Sequence, residues 1–262
     1  MLLILAVNYR TPDQVISQIQ SLKKLKYDFK YVCIDNSPID RHLEKFFHRC
    51  NKKNFHYIKN SNNIGYFPAA FKYLRENKNK DFKFLIICNA DIEFLSMDGL
   101  IEVDKKLDNV GIISPSIFAN GSNQNPYLIR RPEKSFFLKW KFIYKNLYFC
   151  RVVYFLIRLK QKLFKKNHNL QVPSEIYATQ GSIFIVTKSF FETKFFNCEI
   201  PMLFAEEVFM AEKCKQNNLK TFFYPSLKVI HNEHASMGSN ISKFKFEKTN
   251  QALSFILKNF YK

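Results

Sequence analysis

The sequence of 262 residues predicts an α/β fold in which a mainly parallel sheet is flanked by helices. Continuous apolar runs at residues 2–7 and 84–88 are typical of strands that are covered on both faces. Amphipathic stretches of helical length alternate with such runs through the first 115 residues. Because crossovers of this length connect parallel strands, the alternation indicates strand–helix–strand units rather than hairpins.

The first helix is expected to begin at the turn that follows the first strand. Thr11 is placed as its N-cap, Pro12 fits the first turn, and Gln14 stands three residues after Thr11 to complete a capping box. Further strands are predicted over residues 30–35, 55–58, 83–88 and 110–114, and further helices near residues 39–50, 67–76 and 98–107.

The rest of the chain contains a basic segment and then further strands and helices. A strand is predicted over 182–187, a helix over 204–214, strand material over 222–230 and a C-terminal helix over 242–260. We therefore expect one domain over 1–262, made of a first half at 1–115, an insertion at 134–168, a second half at 175–240 and a C-terminal helix at 241–262.

More than half of the net charge of +19 comes from the insertion, whose residues 134–168 hold ten Lys or Arg, many aromatic residues and no acidic residue. Basic residues interleaved with aromatic ones are typical of helices that lie on an anionic membrane surface. The alternative is a solvated basic insertion that packs on the body through its apolar side. Binding of single-stranded nucleic acid would also fit the pattern. Nothing else in the sequence points to nucleic acid, so no such partner is expected.

Three predicted strands end in polar clusters that contain Asn or Asp. Asn8 follows the first strand, Asp35 ends the second, and Asn89 and Asp91 follow the strand at 83–88. Ligands of parallel sheets bind at the carboxyl ends of the strands, so we expect one binding site there. Asx residues also form turns, and one cluster alone would mean little. Asp91 suits a hard divalent cation or, equally, the N-cap of the next helix.

Two acidic residues, Glu206 and Glu207, open the helix predicted in the second half. Acidic residues are usual in a first turn because they complement the helix dipole. Glu207 shares its helical stripe with Met210 and Cys214, so it is expected to point inward more than Glu206. Partial desolvation would then raise its pKa towards the working range of a general base.

Two histidines, His231 and His234, follow the last predicted strand and could bind a metal, although a structural role is the commoner one. The sequence contains no phosphate loop, no GxGxxG motif and no Ser-His-Asp order. These absences weigh against P-loop enzymes, dehydrogenases and hydrolases.

Taken in order, the clusters resemble the motifs of the family 2 glycosyltransferases, particularly bacterial rhamnosyltransferase- and galactosyltransferase-like members that build surface polysaccharide. No single motif is specific, but the ordered set is, and it runs from residue 4 to about residue 236. The matching stretches are Val-Asn-Tyr-Arg-Thr at 7–11, Val-Cys-Ile-Asp-Asn-Ser at 32–37, Asn-Ile-Gly-Tyr-Phe at 63–67, Asn-Ala-Asp-Ile at 89–92, Gly-Ser at 181–182, Phe-Ala-Glu-Glu at 204–207, and His231 with Ser236.

The resemblance implies a GT-A fold with a nucleotide-binding half at 1–115 and an acceptor half, carrying the catalytic residues, at 175–240. The residues that it implies for binding of the nucleotide sugar are Asn8, Tyr9, Asp35, Asn63, Gly65 and Asn89.

The resemblance also implies the cofactor and the catalytic groups. Asp91 matches the metal-binding carboxylate of the family and would bind Mg²⁺ or Mn²⁺ on the diphosphate, with His231 as a phosphate or metal contact. Glu207 matches the catalytic base, and Glu206 is the second candidate for that role.

The implied activity is an inverting transfer of a sugar from a UDP- or dTDP-linked donor to a glycan acceptor, in cell-surface polysaccharide synthesis. The acceptor is expected to be lipid-linked, and the basic insertion would hold the enzyme against the inner leaflet. The expected location is therefore cytoplasmic and peripheral, on the inner face of the cell membrane. No apolar stretch approaches the roughly 20 residues that span a bilayer.

Two other functions are compatible with parts of the sequence. The first is a non-catalytic basic module that binds membrane or nucleic acid, in which Asp91 and Glu207 would be dispensable. The second is a sugar nucleotidyltransferase, which would release pyrophosphate rather than a nucleoside diphosphate. Such enzymes usually carry a glycine-rich basic loop after the first strand, and residues 8–11 contain no glycine.

Overall fold

Strands from both halves of the chain form one sheet in the computed structural model, which describes residues 1–38, 41–50, 53–77, 81–100, 103, 109–163, 172–232 and 241–262. The strands are β1 (Leu2–Asn8), β2 (Phe29–Asp35), β3 (Phe55–Lys59), β4 (Phe84–Asn89), β5 (Ile92–Ser96), β6 (Val110–Ala119), β7 (Ser122–Asn123), β8 (Ser174–Ile176), β9 (Ile183–Thr187) and β10 (Lys220–His231). The helices are α1 (Pro12–Leu22), α2 (Arg41–Arg49), α3 (Tyr66–Glu76), α4 (Lys134–Ile143), α5 (Leu147–Leu163), α6 (Lys188–Glu192), α7 (Glu206–Gln216) and α8 (Lys243–Phe260), with a 3₁₀ turn at Phe195–Asn197.

The sheet has the order β3-β2-β1-β4-β9-β6-β10-β5. β1 pairs in parallel with β2 and β4, and β2 pairs in parallel with β3. β9 runs antiparallel to both of its neighbours, whereas β6 and β10 are parallel to each other. The sheet is thus mixed and largely parallel, which confirms the fold class predicted from the alternation of strands and helices.

Helices cover both faces of the sheet, and β1 shows this most directly. Its alternate residues belong to two different apolar clusters: Ile4 packs in the cluster that holds Val15 of α1, and Leu5 packs in the cluster that holds Phe67 of α3. Burial on both faces explains why the first strand is a continuous apolar run instead of an alternating one.

Several local features differ from the predictions. The Thr11 side chain accepts no capping hydrogen bond from α1, and its hydroxyl donates to Asn8 Oδ1 at 2.7 Å. α7 begins at Glu206, since Phe204 has a positive φ of 71° and lies in the preceding turn. No strand is predicted at 92–96, where β5 forms a short antiparallel pair with β10.

Parts of the prediction lie outside the described residues. These parts are most of the helix expected over 98–107, the end of the insertion at 164–168, and the two residues His234 and Ser236.

The basic insertion forms α4 and α5, which pack against the body through one side. Phe137, Tyr144 and Cys150 are buried in a cluster with Ala205, beside the start of α7, and Leu253 of α8. Within the part of the chain that the structure describes, no helix is long and apolar enough to cross a membrane.

A buried ion pair ties the segment before α4 to α7, and we expect it to stabilise the fold. Arg131 Nε lies 2.6 Å from Glu212 Oε1, which also accepts a hydrogen bond from Tyr177. Arg131→Met should lower the free energy of unfolding by about 2 kcal/mol, because it leaves the Glu212 charge buried while Arg131 itself is partly exposed. Urea unfolding followed by circular dichroism measures this loss.

The matched control removes a surface pair between Lys220 and Glu175, whose side chains are 52% and 57% exposed. Lys220→Met should cost less than about 1 kcal/mol because solvent screens that pair. Equal losses in the two variants would contradict the role assigned to the buried pair.

Candidate functional site

A cleft of about 700 Å³ opens at the carboxyl ends of β1 and β4. Its walls are the turns after these strands, the loop before α3, residues 180–182 before β9, and the N-terminus of α7. The beginning of α8 contributes Ser242 and Phe244 at one side. The volume lies in the range of small-molecule sites, and the position is the sheet edge at which the strand-end clusters predict a ligand.

The structure brings most of the sequence-predicted site residues together in this cleft. The residues that line it are Tyr9, Asn63, Gly65, Asn89, Asp91, Glu206 and Glu207. The other three, Asn8, Asp35 and His231, do not line it.

Asn8 and Asp35 lie beneath the cleft, where they are 1% and 0% exposed, so contact with the base and ribose stays a prediction for these two residues. Asn8 Nδ2 donates to Asp35 Oδ1 at 2.9 Å, and the two residues thereby join the ends of β1 and β2. Burial alone would raise the pKa of Asp35, but hydrogen bonds from Ser37, Tyr57 and Lys59 outweigh it and lower the pKa. These residues hold the turns that form the floor of the cleft.

The loop before α3 is shaped by Gly65. Its φ of 102° favours glycine, and a Cβ there would collide with the backbone oxygen of Met202. Asn63 Oδ1 accepts a hydrogen bond from Gly65 N at 3.1 Å, and Asn36 Nδ2 donates to Gly65 O at 2.9 Å. The loop is therefore fixed against the segment that leads into α7, and it lines the cleft beside Tyr9.

Asp91 carries a buried carboxylate oxygen that accepts no hydrogen bond from any described residue, namely Oδ1. His231 Nε2 lies 3.4 Å from this oxygen, and the His231 side chain lines an adjoining groove together with Glu93 and Asn232. A buried acceptor without a donor is costly unless a ligand supplies the missing partner. A hard cation fits this oxygen chemically.

No group of three or more His, Cys, Asp or Glu side chains with metal-binding spacing occurs among the described residues. A cation at Asp91 would therefore take most of its remaining ligands from phosphate and water, as Mg²⁺ commonly does.

Glu206 and Glu207 both face the cleft from the first turn of α7. Glu206 is 5% exposed and is the more buried of the two, which reverses the expectation that Glu207 points inward more. Both carboxylates lie in the first turn of α7. Burial raises the pKa of both carboxyl groups, and repulsion by Glu207 raises the pKa of Glu206 further.

Gln180, which is not among the predicted site residues, lines the cleft next to Gly181. Its Oε1 accepts a hydrogen bond from Ser182 N at 2.8 Å, and its own backbone N–H donates to Asn125 Oδ1 at 2.9 Å. The signal in the sequence that could have identified Gln180 is its position directly before the Gly-Ser motif at 181–182. Leu203 and Phe244 also line the cleft, and as apolar residues outside any motif they gave no signal.

No protein-family model matches the sequence, and no curated protein matches it. Among solved structures, the fold is similar to "GalNAc-T7 with UDP, GalNAc and Mn²⁺", with a TM-score of 0.64 and 15% identity, covering 98% of this chain and 48% of that one. It is also similar to TarS of S. aureus, with a TM-score of 0.59 and 12% identity over 98% of this chain and 40% of that one.

A third similar structure is the mannosyltransferase PcManGT from Pyrobaculum calidifontis in complex with GDP-Man and Mn²⁺. Its TM-score is 0.55 and its identity 11%, over 97% of this chain and 69% of that one. The chain spans about half the length of GalNAc-T7 and less of TarS. At these low sequence identities, the structural similarity establishes the fold alone. This chain has the GT-A fold of the glycosyltransferases that it resembles.

Proposed function

We propose that this protein is an inverting glycosyltransferase that transfers a hexosyl group from a UDP- or dTDP-linked donor to a glycan acceptor. The observation that supports it best is the meeting, in one cleft of a GT-A fold, of the Asp91 carboxylate, whose Oδ1 accepts no hydrogen bond from a described residue, with the Glu206–Glu207 pair. The Asp91 carboxylate is suited to bind a cation that also contacts a diphosphate, and the glutamate pair is suited to accept a proton from an acceptor hydroxyl.

In this proposal the nucleotide occupies the β1 side of the cleft. Tyr9 offers an aromatic ring for a base, and Asn63 and Asn89 offer amide groups to polar atoms of the donor. The loop at Gly65 brings backbone close to the same space. Asn8 and Asp35 support this wall from beneath.

Asp91 would hold Mg²⁺ or Mn²⁺, with His231 close enough to contact the ion or a phosphate oxygen. The unpaired Asp91 Oδ1 supports this assignment, and two of the similar structures are described as containing Mn²⁺. When bound, the cation would neutralise charge on the nucleoside diphosphate as it leaves.

Glu207 is proposed to accept the proton of the acceptor hydroxyl. As that oxygen forms its bond to the anomeric carbon, the bond from this carbon to the diphosphate oxygen breaks, and the diphosphate leaves with the electron pair. The configuration at the anomeric carbon is inverted because attack and departure occur on opposite faces. Burial raises the pKa of Glu207 towards the working range of a general base.

The proposed setting is synthesis of surface polysaccharide on a lipid-linked acceptor, at the cytoplasmic face of the cell membrane. Support comes from the resemblance of the motifs to rhamnosyl- and galactosyltransferase-like enzymes and from the basic insertion, which packs beside the catalytic helix α7.

The first test is thermal unfolding with UDP, dTDP, GDP and CDP, each with and without Mn²⁺. We expect one nucleotide to raise the midpoint temperature in a Mn²⁺-dependent way, since ligands that bind the folded state stabilise it. Incubation of the matching nucleotide sugar with acceptor should then release nucleoside diphosphate. Release of pyrophosphate from a nucleoside triphosphate would favour a nucleotidyltransferase, and no shift with any nucleotide would favour the non-catalytic module.

Gly181→Ala is expected to reduce transfer by about ten-fold or more, because small displacements of catalytic groups are costly. A Cβ at this position would lie 2.5 Å from Glu207 Oε1 and 2.9 Å from Glu207 Cδ, so the carboxylate must move. The rate of nucleoside diphosphate release measures the effect, and the midpoint temperature checks that the fold is intact.

Glu207→Asp supplies the control, because its shorter side chain leaves room for the new methyl group. The double variant should lose less activity than the product of the two single losses. Multiplicative losses would mean that Gly181→Ala acts elsewhere than on Glu207.

A further inference from the structure

The outward side of α5 exposes large apolar side chains in a row. Of the sixteen large apolar residues that are exposed in the described part of the chain, nine lie in α4 and α5. Those on α5 are between 43% and 75% exposed: Tyr148, Phe149, Val152, Phe155, Leu156 and Leu159. Soluble monomers rarely expose an apolar patch of this kind without a binding role.

The six side chains form one face of the helix. At about 100° per residue they fall within an arc of about 120°. The opposite side of α5 carries Cys150 and Tyr154, which belong to the cluster shared with α7 and α8. α5 is therefore apolar on two sides, and no described residue covers the outer one.

The segment that carries this face is basic. Phe142 of α4 extends it, with its ring centroid 6.2 Å from that of Phe149 and with Lys145 Nζ 5.7 Å from the Phe142 ring. Lys139 and Arg151 are exposed nearby in the sequence, and the insertion has no acidic residue to balance them. A second copy of the chain would bring like charges together, whereas an anionic bilayer complements both the charge and the apolar face.

We propose that the outward face of α5, extended by Phe142, docks into the headgroup region of an anionic bilayer, with the helix lying in the plane of the surface. α5 and α4 pack in one cluster with Ala205 and Val208, the residues that flank Glu206 and Glu207. Docking would thus hold the lipid surface beside the catalytic end of the cleft. The consequence that a lipid-linked acceptor reaches Glu207 from this surface rests on the proposed function, whereas the docking itself does not.

The contribution of the apolar face to binding is tested by replacing leucine with serine, once on this face and once elsewhere. Leu156 and Leu95 are 57% and 53% exposed, the first on α5 and the second on β5, the last strand in the order of the sheet. Leu156→Ser should reduce binding to sedimented vesicles of phosphatidylcholine with phosphatidylglycerol by about five-fold or more, since it removes inserted apolar surface. Leu95→Ser should leave binding unchanged.

The contribution of charge to binding is tested with two double variants. Each replaces two lysines by glutamates, so both change the net charge by the same amount. Lys139→Glu with Lys145→Glu should weaken binding to the same vesicles by about ten-fold or more, because each lysine near the surface contributes about five-fold. Lys23→Glu with Lys24→Glu, at the end of α1, should weaken it much less. Binding should also fall with salt and be absent on pure phosphatidylcholine.

Several outcomes would overturn the proposal. One is vesicle binding that is indifferent to Leu156→Ser, to salt and to anionic lipid. Another is a protein that binds no vesicles and forms a dimer that Leu156→Ser disrupts, because a second copy would then cover the face. A third is binding of a single-stranded oligonucleotide in place of vesicles. The Mn²⁺-dependent shift with nucleotide, measured on the same variants, separates these outcomes from a failure of the proposed function.

Discussion

Replacement of Glu207 by Gln should reduce sugar transfer by about 100-fold or more, while the affinity for nucleoside diphosphate stays unchanged. The amide keeps the shape of the side chain and its position against Gly181, but it cannot accept the acceptor proton. Steady-state rates and nucleotide titration measure the two quantities separately. An equal loss of rate and of affinity would show that Glu207 shapes the cleft and does not act as the base.

Glu206→Gln is the matched variant at the neighbouring position. If Glu207 is the base, Glu206→Gln should preserve much of the rate, because the carboxylate that accepts the proton stays in place. The acidic limb of the pH–rate profile should stay where it is in the wild-type enzyme, since burial is what raises the pKa of Glu207. A rate loss for Glu206→Gln that exceeds the loss for Glu207→Gln would exchange the two roles.

The raised pKa values of Glu206 and Glu207 also predict an effect on stability. Burial raises the pKa of Glu206 and Glu207 in the folded state, so each group favours folding below its unfolded pKa and loses that contribution as pH rises through its raised folded pKa. Glu206→Gln should therefore raise the midpoint temperature above neutral pH. The gain should vanish near pH 4, below the ordinary glutamate pKa of about 4.3.

The fold was predictable because its signals are local. Apolar runs such as those of β1 and β4 indicate strands that are buried on both faces, and the helical stretches between such runs indicate parallel strands. β5 was not predictable in the same way, since its five residues alternate and pair only with the distant β10. Pairing between distant segments leaves little trace in the sequence of a short strand.

The candidate site was predictable in composition but only partly in geometry. Motif order identified residues that line the cleft, including Tyr9, Asp91 and Glu207. It did not distinguish a residue that lines the cleft from one that supports it, and Asp35 proves to be a support because five hydrogen bonds already occupy its carboxylate. It also did not show which of two adjacent glutamates is more buried, since both line the cleft from the first turn of α7.

Asp91→Asn should abolish the effect of Mn²⁺ on nucleotide binding. The carboxylate would hold the cation through Oδ1, the buried oxygen without a hydrogen bond, and an amide of the same size is a much weaker ligand for a hard cation. We expect the affinity for nucleoside diphosphate in Mn²⁺ to fall by about ten-fold or more. Binding of the nucleoside without phosphates should not change, because no cation bridges it to Asp91.

The decisive readout does not require activity. In wild-type protein Mn²⁺ with nucleoside diphosphate should raise the midpoint temperature by mass action, and in Asp91→Asn it should not. Without metal the variant should be at least as stable as wild type, since it removes a buried charge whose Oδ1 has no donor. Glu93→Gln controls for loss of a nearby carboxylate: Glu93 Oε1 accepts hydrogen bonds from Ser17 and Asn232, so it has partners within the fold already. A Mn²⁺ response that survives in Asp91→Asn but disappears in Glu93→Gln would move the cation from the cleft to the adjoining groove beside His231.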